Sequence, residues 1–77
     1  MEKGWEPMSS IVKVVEVIGE SPKSFDDAVQ SAVRESAKTL HNIRSVWVDN
    51  LSGVVKGDHI SAFRANVKVS FEIEGHG

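Results

Sequence analysis

The sequence of 77 residues contains no cysteine and no tyrosine, and only two prolines. Without cysteine, disulfide bonds and thiolate-bound metals are excluded as sources of stability. An excess of basic residues is also missing: the net charge is -2, which argues against a nucleic-acid-binding domain. No apolar run approaches the roughly 18 residues of a membrane span, and the N-terminus lacks the apolar stretch of a signal peptide. We therefore expect a small soluble domain in the cytoplasm, without nucleic-acid or membrane partners.

Familiar catalytic patterns are absent as well. There is no glycine-rich phosphate loop, no His-Glu-x-x-His and no Gly-x-Ser-x-Gly. The histidines, His41, His59 and His76, are far apart in the sequence, so we do not expect a zinc site. Asp26 and Asp27 stand at a predicted helix start, where carboxylates favour the positive end of the helix dipole. These observations predict a protein that is not an enzyme.

The pattern predicts one domain over residues 11–77, preceded by a flexible extension over residues 1–10. A run of β-branched residues opens the domain, continues to Gly19 and predicts the first strand. Two further strands are predicted over residues 45–56, which are rich in valine, and residues 60–74, where apolar and polar residues alternate.

A helix is predicted between the first two strands, over residues 25–41, because apolar residues recur there at spacings of three and four. Ser24, followed three residues later by Asp27, is related to the capping box, and Asn42 suits a left-handed helix end. A hairpin turn is predicted at residues 56–59. The β-α-β-β order therefore predicts an α+β fold, a three-stranded antiparallel sheet wrapped around one helix.

Apolar residues fall on both faces of the first two predicted strands. In the first strand Val12, Val14 and Ile18 alternate with Ile11, Val15 and Val17; in the second, Val46 and Val48 alternate with Trp47 and Leu51. One helix covers only one face, and a chain this short buries only about 60% of its unfolded surface. We expect a homo-oligomer, and we expect Val15→Asp or Val17→Asp to disperse it.

Two side chains are candidates for ligand binding. Trp47 is either a core or interface residue, or a platform on which a flat ligand stacks. Arg64 lies in the alternating last strand, and either pairs with a carboxylate such as Glu72 or Asp49 or binds an anionic ligand. The residue chemistry alone leaves these alternatives open.

Residues 12–28, Val-Lys-Val-Val-Glu-Val-Ile-Gly-Glu-Ser-Pro-Lys-Ser-Phe-Asp-Asp-Ala, resemble the opening of the dodecins. Dodecins are small β-α-β-β proteins that assemble into hollow spherical dodecamers and often sequester flavins. The resemblance continues through residues 37–43 and 67–73, and covers about residues 11–74 without a gap. It implies a non-enzymatic homo-oligomeric shell of twelve subunits that stores or buffers a small ligand, with flavin (FMN or riboflavin) as the family's usual cofactor.

The chain departs from the flavin-binding dodecins at two positions. In those proteins a tryptophan opens the second strand and stacks on the isoalloxazine ring, while a glutamine in the third strand hydrogen-bonds the ring edge. The ungapped alignment places Ser45 and Arg64 at these positions, with Trp47 on the face of Ser45 and about 7 Å along the strand. The resemblance therefore implies Ser45, Trp47 and Arg64 as ligand-binding residues.

An arginine at the glutamine position is similar to a second branch of dodecin-like proteins. Those proteins lack the flavin tryptophan, and are associated with calcium or have no known ligand. Two alternatives to flavin storage follow: a purely structural assembly module, or a dodecin-like protein that binds calcium or another ion.

Overall fold

Three antiparallel strands and one helix make up residues 11–73, the part of the chain that the computed structural model describes. In chain order these elements are β1 (Ile11–Ser21), α1 (Phe25–Ser36), β2 (Ile43–Lys56) and β3 (His59–Ile73). The last strand is central, because the sheet order is β1-β3-β2 and both pairings are antiparallel. The predicted α+β fold with β-α-β-β order is confirmed. The expected extension over residues 1–10 lies outside the described residues.

Strand β1 continues two residues beyond the predicted end at Gly19. Pairing with β3 persists to Ser21, which lies opposite Phe63. Glycine at position 19 lets α1 lie directly on the strand, since a Cβ there would stand 2.1 Å from the carbonyl oxygen of Ala28. The glycine thus marks a close approach of helix and strand rather than a strand end.

The predicted N-terminal cap of α1 is confirmed. Ser24 has extended backbone angles, and its side-chain oxygen accepts a hydrogen bond from the Asp27 backbone N–H at 3.0 Å. The Asp27 carboxylate in turn accepts a hydrogen bond from the buried Ser21 hydroxyl at 2.6 Å. Together these bonds satisfy polar groups at the helix start and tie it to the end of β1.

The predicted helix end at His41 is wrong, because α1 ends at Ser36. A tighter turn follows the helix, in which the N–H groups of Lys38 and Thr39 donate hydrogen bonds to carbonyl groups three residues earlier instead of four, each at 3.1 Å. Leu40 and Ile43 continue the helical spacing in the sequence, but they pack on the core from the turn and from β2. Asn42 does adopt the predicted left-handed conformation, with φ of 61°, just before β2 begins.

The core lies between α1 and the central strand. Its buried apolar side chains are small: Ala28, Ala32, Ala65, Val67 and Val69. Alanines on both the helix and the strand allow close packing, and half-buried residues of β1 and β2 surround them. The result is a tight core of low volume.

The register assigns the apolar residues of the outer strands to the two faces of the sheet. Val15 and Val17 lie opposite the buried Val69 and Val67 of β3, so they belong to the face that α1 covers. Val15→Asp and Val17→Asp therefore test the fold of the subunit rather than its assembly. The other face, here called the outer face, carries Val12, Val14 and Ile18, each more than half exposed.

A register shift in β2 between Val48 and Asn50 changes the face of the residues that follow. Leu51 consequently lies opposite the buried Ala65, on the helix side of the sheet. The expectation that Leu51 shares a face with Trp47 is wrong, because strict alternation does not survive the extra residue.

The hairpin of β2 and β3 extends beyond the rest of the subunit. Pairing of β1 with β3 stops at Phe63, whereas β2 and β3 remain paired as far as Lys56 and His59. The predicted turn is confirmed, with Gly57 at φ of 65°. Two-stranded ribbons are marginally stable alone, and Val55 in this arm is 63% exposed.

Candidate functional site

An open cavity of about 490 Å³ lies on the outer face, across all three strands. Its lining consists of Val14 and Glu16 from β1, Ser45, Trp47 and Asp49 from β2, and Lys68 and Ser70 from β3. Neighbouring strands place every second residue on the same face, so residues distant in sequence meet here. Beside it, a second cavity of about 240 Å³ shares Glu16 and Asp49 with the first.

Trp47 is the largest apolar surface in this cavity, and it is 72% exposed. It lies opposite Lys68 on the central strand, while its neighbours Val46 and Val48 lie on the other face of the sheet, opposite Val69 and Val67. Indole rings are normally covered by protein or by a ligand, since they contribute more apolar area than any other side chain. Trp47 is thus available in the subunit for stacking.

Two facing hydroxyls form the polar part of the cavity wall. Ser45 and Ser70 lie opposite each other in the β2–β3 ladder, and their side-chain oxygens are 2.5 Å apart. The Ser70 hydroxyl also lies 3.4 Å from the carbonyl oxygen of Ser45. Because both side chains are small, they leave space beside the indole and can exchange hydrogen bonds with a bound molecule.

Lys68 stands between two carboxylates. Its Nζ is 4.0 Å from Glu16 Oε2 and 3.9 Å from Asp49 Oδ2. Asp49 reaches this side of the sheet because it falls within the irregular step of β2 that begins after Val48. All three side chains remain substantially exposed, so the pairs add little to stability and remain available to a ligand.

Arg64 does not line this cavity. Its Nε donates to Glu20 Oε1 at 2.9 Å across the β1–β3 ladder, and both side chains are about half exposed. The prediction that Arg64 pairs with a carboxylate is confirmed, but the partner is Glu20. The two suggested partners lie elsewhere, since Glu72 pairs with Arg44 and Asp49 faces Lys68.

Of the three residues predicted to bind ligand, the structure brings two together. Ser45 and Trp47 share the cavity, whereas Arg64 lies six positions from Ser70 on β3, about 20 Å away along the strand. Their role in binding stays a prediction.

The other cavity residues were not identified from the sequence. Glu16 and Lys68 are directly opposed in the register, and Ser70 faces Ser45. Alternation within a strand indicates which of its residues share a face. It does not indicate which residues of two different strands lie opposite each other, because that depends on the pairing register.

Among residues 11–73, no group of three or more histidines, aspartates or glutamates is placed to hold a metal ion. The single helix of that region is too short and too polar to cross a membrane.

Comparisons with known proteins agree on one family. The family model for dodecin matches residues 11–74. The dodecin of Thermus thermophilus is 25% identical over 67 residues, which cover 87% of this chain and 97% of that protein.

Solved structures give the same result. The dodecin from Streptomyces davaonensis superposes with a TM-score of 0.84 at 24% identity, over 88% of this chain and 100% of that one. The calcium dodecin of Mycobacterium tuberculosis, a calcium-chelating immunodominant antigen, superposes with a TM-score of 0.75 at 28% identity, over 88% and 97% of the two chains. Since the family model covers the whole of the described fold, the chain belongs to the dodecin family.

Proposed function

We propose that this protein is a non-enzymatic, homo-oligomeric dodecin of twelve subunits that binds and stores a flat aromatic ligand of the flavin class. The exposed face of Trp47, beside an open cavity of about 490 Å³, is the observation that carries this proposal. Flavin, as FMN or riboflavin, is the first candidate ligand because the family resemblance implies it.

Assembly is supported by the distribution of exposed apolar residues. Val14 and Ile18 on the outer face are 55% and 61% exposed, and Val55 and Ile60 on the hairpin arm are 63% and 49% exposed. Within residues 11–73 the buried apolar side chains are those of three alanines and two valines, which is a small core for a domain of this size. Association of subunits through these surfaces removes apolar area from water and supplies the stability that the small core lacks.

Ligand binding is supported by the size and lining of the cavity. Its volume falls in the range of small-molecule sites, about 300–1,000 Å³. One wall is an indole, and the others carry hydroxyls, carboxylates and an ammonium group. In one subunit the cavity is open to solvent, so a bound ligand would stay partly exposed. A second subunit packed against the outer face would cover the ligand from the other side. Trp47 takes over the stacking role that a tryptophan at position 45 plays in the flavin-binding members.

Calcium binding is the less supported alternative, although one structural neighbour is a calcium dodecin. The carboxylates closest to the cavity, Glu16 and Asp49, both lie near the ammonium of Lys68. A divalent cation generally needs six or more oxygen ligands, and a nearby lysine opposes it. Calorimetric titration with calcium is therefore expected to show no binding to the assembled protein.

Riboflavin titration tests the proposal, with quenching of flavin fluorescence as the signal. Stacking on an aromatic side chain contributes about 1–3 kcal/mol, so Trp47→Ala should weaken binding by about 5- to 150-fold. Trp47→Phe should retain part of the affinity. The control is Leu51→Ala, which shortens an exposed apolar side chain on the helix side of the same strand, outside the cavity, and should leave binding unchanged.

Two results would contradict the proposal. Equal riboflavin affinity of Trp47→Ala and the unmodified protein would show that the indole is not the stacking surface. Quenching that appears only after Ser45→Trp and Arg64→Gln, which restore the two residues of the flavin-binding members, would show that the natural ligand is not a flavin.

A further inference from the structure

We infer that the cavity selects uncharged ligands against phosphorylated ones, so that riboflavin is bound in preference to its phosphate ester, FMN. This inference rests on the proposed function and specifies the ligand class of the same site.

The charges in the cavity wall are unbalanced. Two carboxylates, from Glu16 and Asp49, share one ammonium group, from Lys68, at 4.0 and 3.9 Å. The lining residues that the structure describes therefore carry a formal net charge of one negative unit, and the one ammonium group among them lies close to both carboxylates. A phosphate monoester brings about -1.5 to -2 charges near pH 7, which such a wall repels.

Other cations on the outer face are also paired with carboxylates. In the part of the chain that the structure describes, Arg64 is held by Glu20, and Arg44 by Glu72. The start of α1, which suits anions, lies on the opposite side of the sheet from Trp47. Phosphate sites in proteins normally use such cations or helix ends, and among residues 11–73 none of these faces the cavity without a carboxylate nearby.

The same wall does match an uncharged heteroaromatic ring that carries hydroxyl groups. Carboxylates accept hydrogen bonds from ring N–H groups or ligand hydroxyls, while Lys68 donates to ring carbonyls or nitrogens. The hydroxyls of Ser45 and Ser70 do either, and Trp47 supplies the stacking surface. Hydrogen-bond donors and acceptors thus surround the indole, while the ammonium of Lys68 is outnumbered by the two carboxylates beside it. This arrangement favours an uncharged ring over a phosphate.

Parallel titrations with riboflavin and FMN test the inference, because the two molecules share one ring and differ by the phosphate. The assembled wild-type protein should bind riboflavin about tenfold more tightly than FMN at low ionic strength. The difference should narrow when the salt concentration is raised to about 0.5 M, since screening acts on the phosphate and not on the ring.

A double variant locates the effect. Glu16→Gln with Asp49→Asn removes two negative charges and keeps the shapes of the side chains, so the affinity for FMN should rise about tenfold relative to the affinity for riboflavin. The control is Glu35→Gln with Asp58→Asn, which makes the same change in net charge on the helix and in the hairpin turn, away from the cavity. It should leave both affinities unchanged.

The results of the riboflavin and FMN titrations distinguish this inference from the proposed function. Binding of both flavins with FMN equal or tighter overturns the inference and leaves the proposed function intact. If neither flavin binds, both are overturned. The comparison of riboflavin with FMN on the wild-type protein needs no variant, so a variant that fails to assemble does not remove the test.

Discussion

Replacing Gly19 with alanine should destabilise the subunit strongly, although it adds only one methyl group. The new Cβ would lie 2.1 Å from the Ala28 carbonyl oxygen and 3.0 Å from the Ala32 Cβ, whereas ordinary contacts begin near 3.4 Å. The nearest atom belongs to the helix backbone and cannot turn away. To relieve the contact, α1 must move from the sheet by on the order of 1 Å, which loosens a close-packed core.

The size of the effect follows from two opposing contributions. Overpacking of a filled core typically costs about 1–3 kcal/mol, and alanine recovers about 0.4–1 kcal/mol by restricting the unfolded chain. We expect the free energy of unfolding to fall by about 1–2 kcal/mol. Urea unfolding followed by circular dichroism, at one fixed protomer concentration, measures this difference, since association makes the stability of an oligomer depend on concentration.

Gly53→Ala provides the matched control. At this position the three atoms nearest to an added Cβ all belong to the side chain of Ile60, at 3.2 to 3.5 Å, and a side chain can shift where the helix backbone beside Gly19 cannot. Its effect should stay within about 0.5 kcal/mol, as for most surface substitutions. If Gly19→Ala proves as stable as Gly53→Ala, the close packing of α1 on β1 described here is incorrect.

Three further substitutions test other parts of the structure. Ile18→Asp should disperse the oligomer, because this side chain is 61% exposed on the outer face and an unpaired charge there opposes association. Sedimentation that shows an unchanged assembly would contradict this expectation. Ser24→Ala should lower the free energy of unfolding by about 1 kcal/mol through loss of the helix cap, and Ser24→Asp should preserve it in the same urea assay. Gly57→Ala should lower the free energy of unfolding by about 1–2 kcal/mol, because φ is 65° there and alanine is strained in the left-handed region. No neighbouring atom lies within 4 Å of the added Cβ, so a steric clash would not explain the loss. Equal losses in Gly57→Ala and Gly57→Asn would argue against this strain, since asparagine tolerates the left-handed region.

Local chemistry made most of the fold predictable. The β-branched run of β1 and the alternation in β3 indicate strands without reference to the rest of the molecule, and Ser24 with Asp27 marks the helix start. The helix end was not predictable in the same way. Leu40 keeps the helical spacing, yet it packs on the core from a turn, because the chain has to reverse in order to begin β2.

The candidate site depended more on long-range pairing. Alternation alone placed Ser45 and Trp47 on one face, and the structure confirms that both line one cavity. The opposition of Lys68 to Glu16 follows from register, and the position of Asp49 from an irregular step within β2. Both arrangements depend on how the strands pair, so neither can be inferred from the sequence of one strand alone.

Native mass spectrometry of the protein purified from its own source reports the subunit number and any retained ligand in one measurement, and so tests assembly and ligand binding together. The proposed function predicts a species of twelve times the 8.4 kDa chain mass, with additional mass that corresponds to bound flavin and that Trp47→Ala removes. A folded 8.4 kDa monomer at micromolar concentration, or a twelve-subunit assembly that retains no aromatic ligand and takes none up when riboflavin is added, would contradict it.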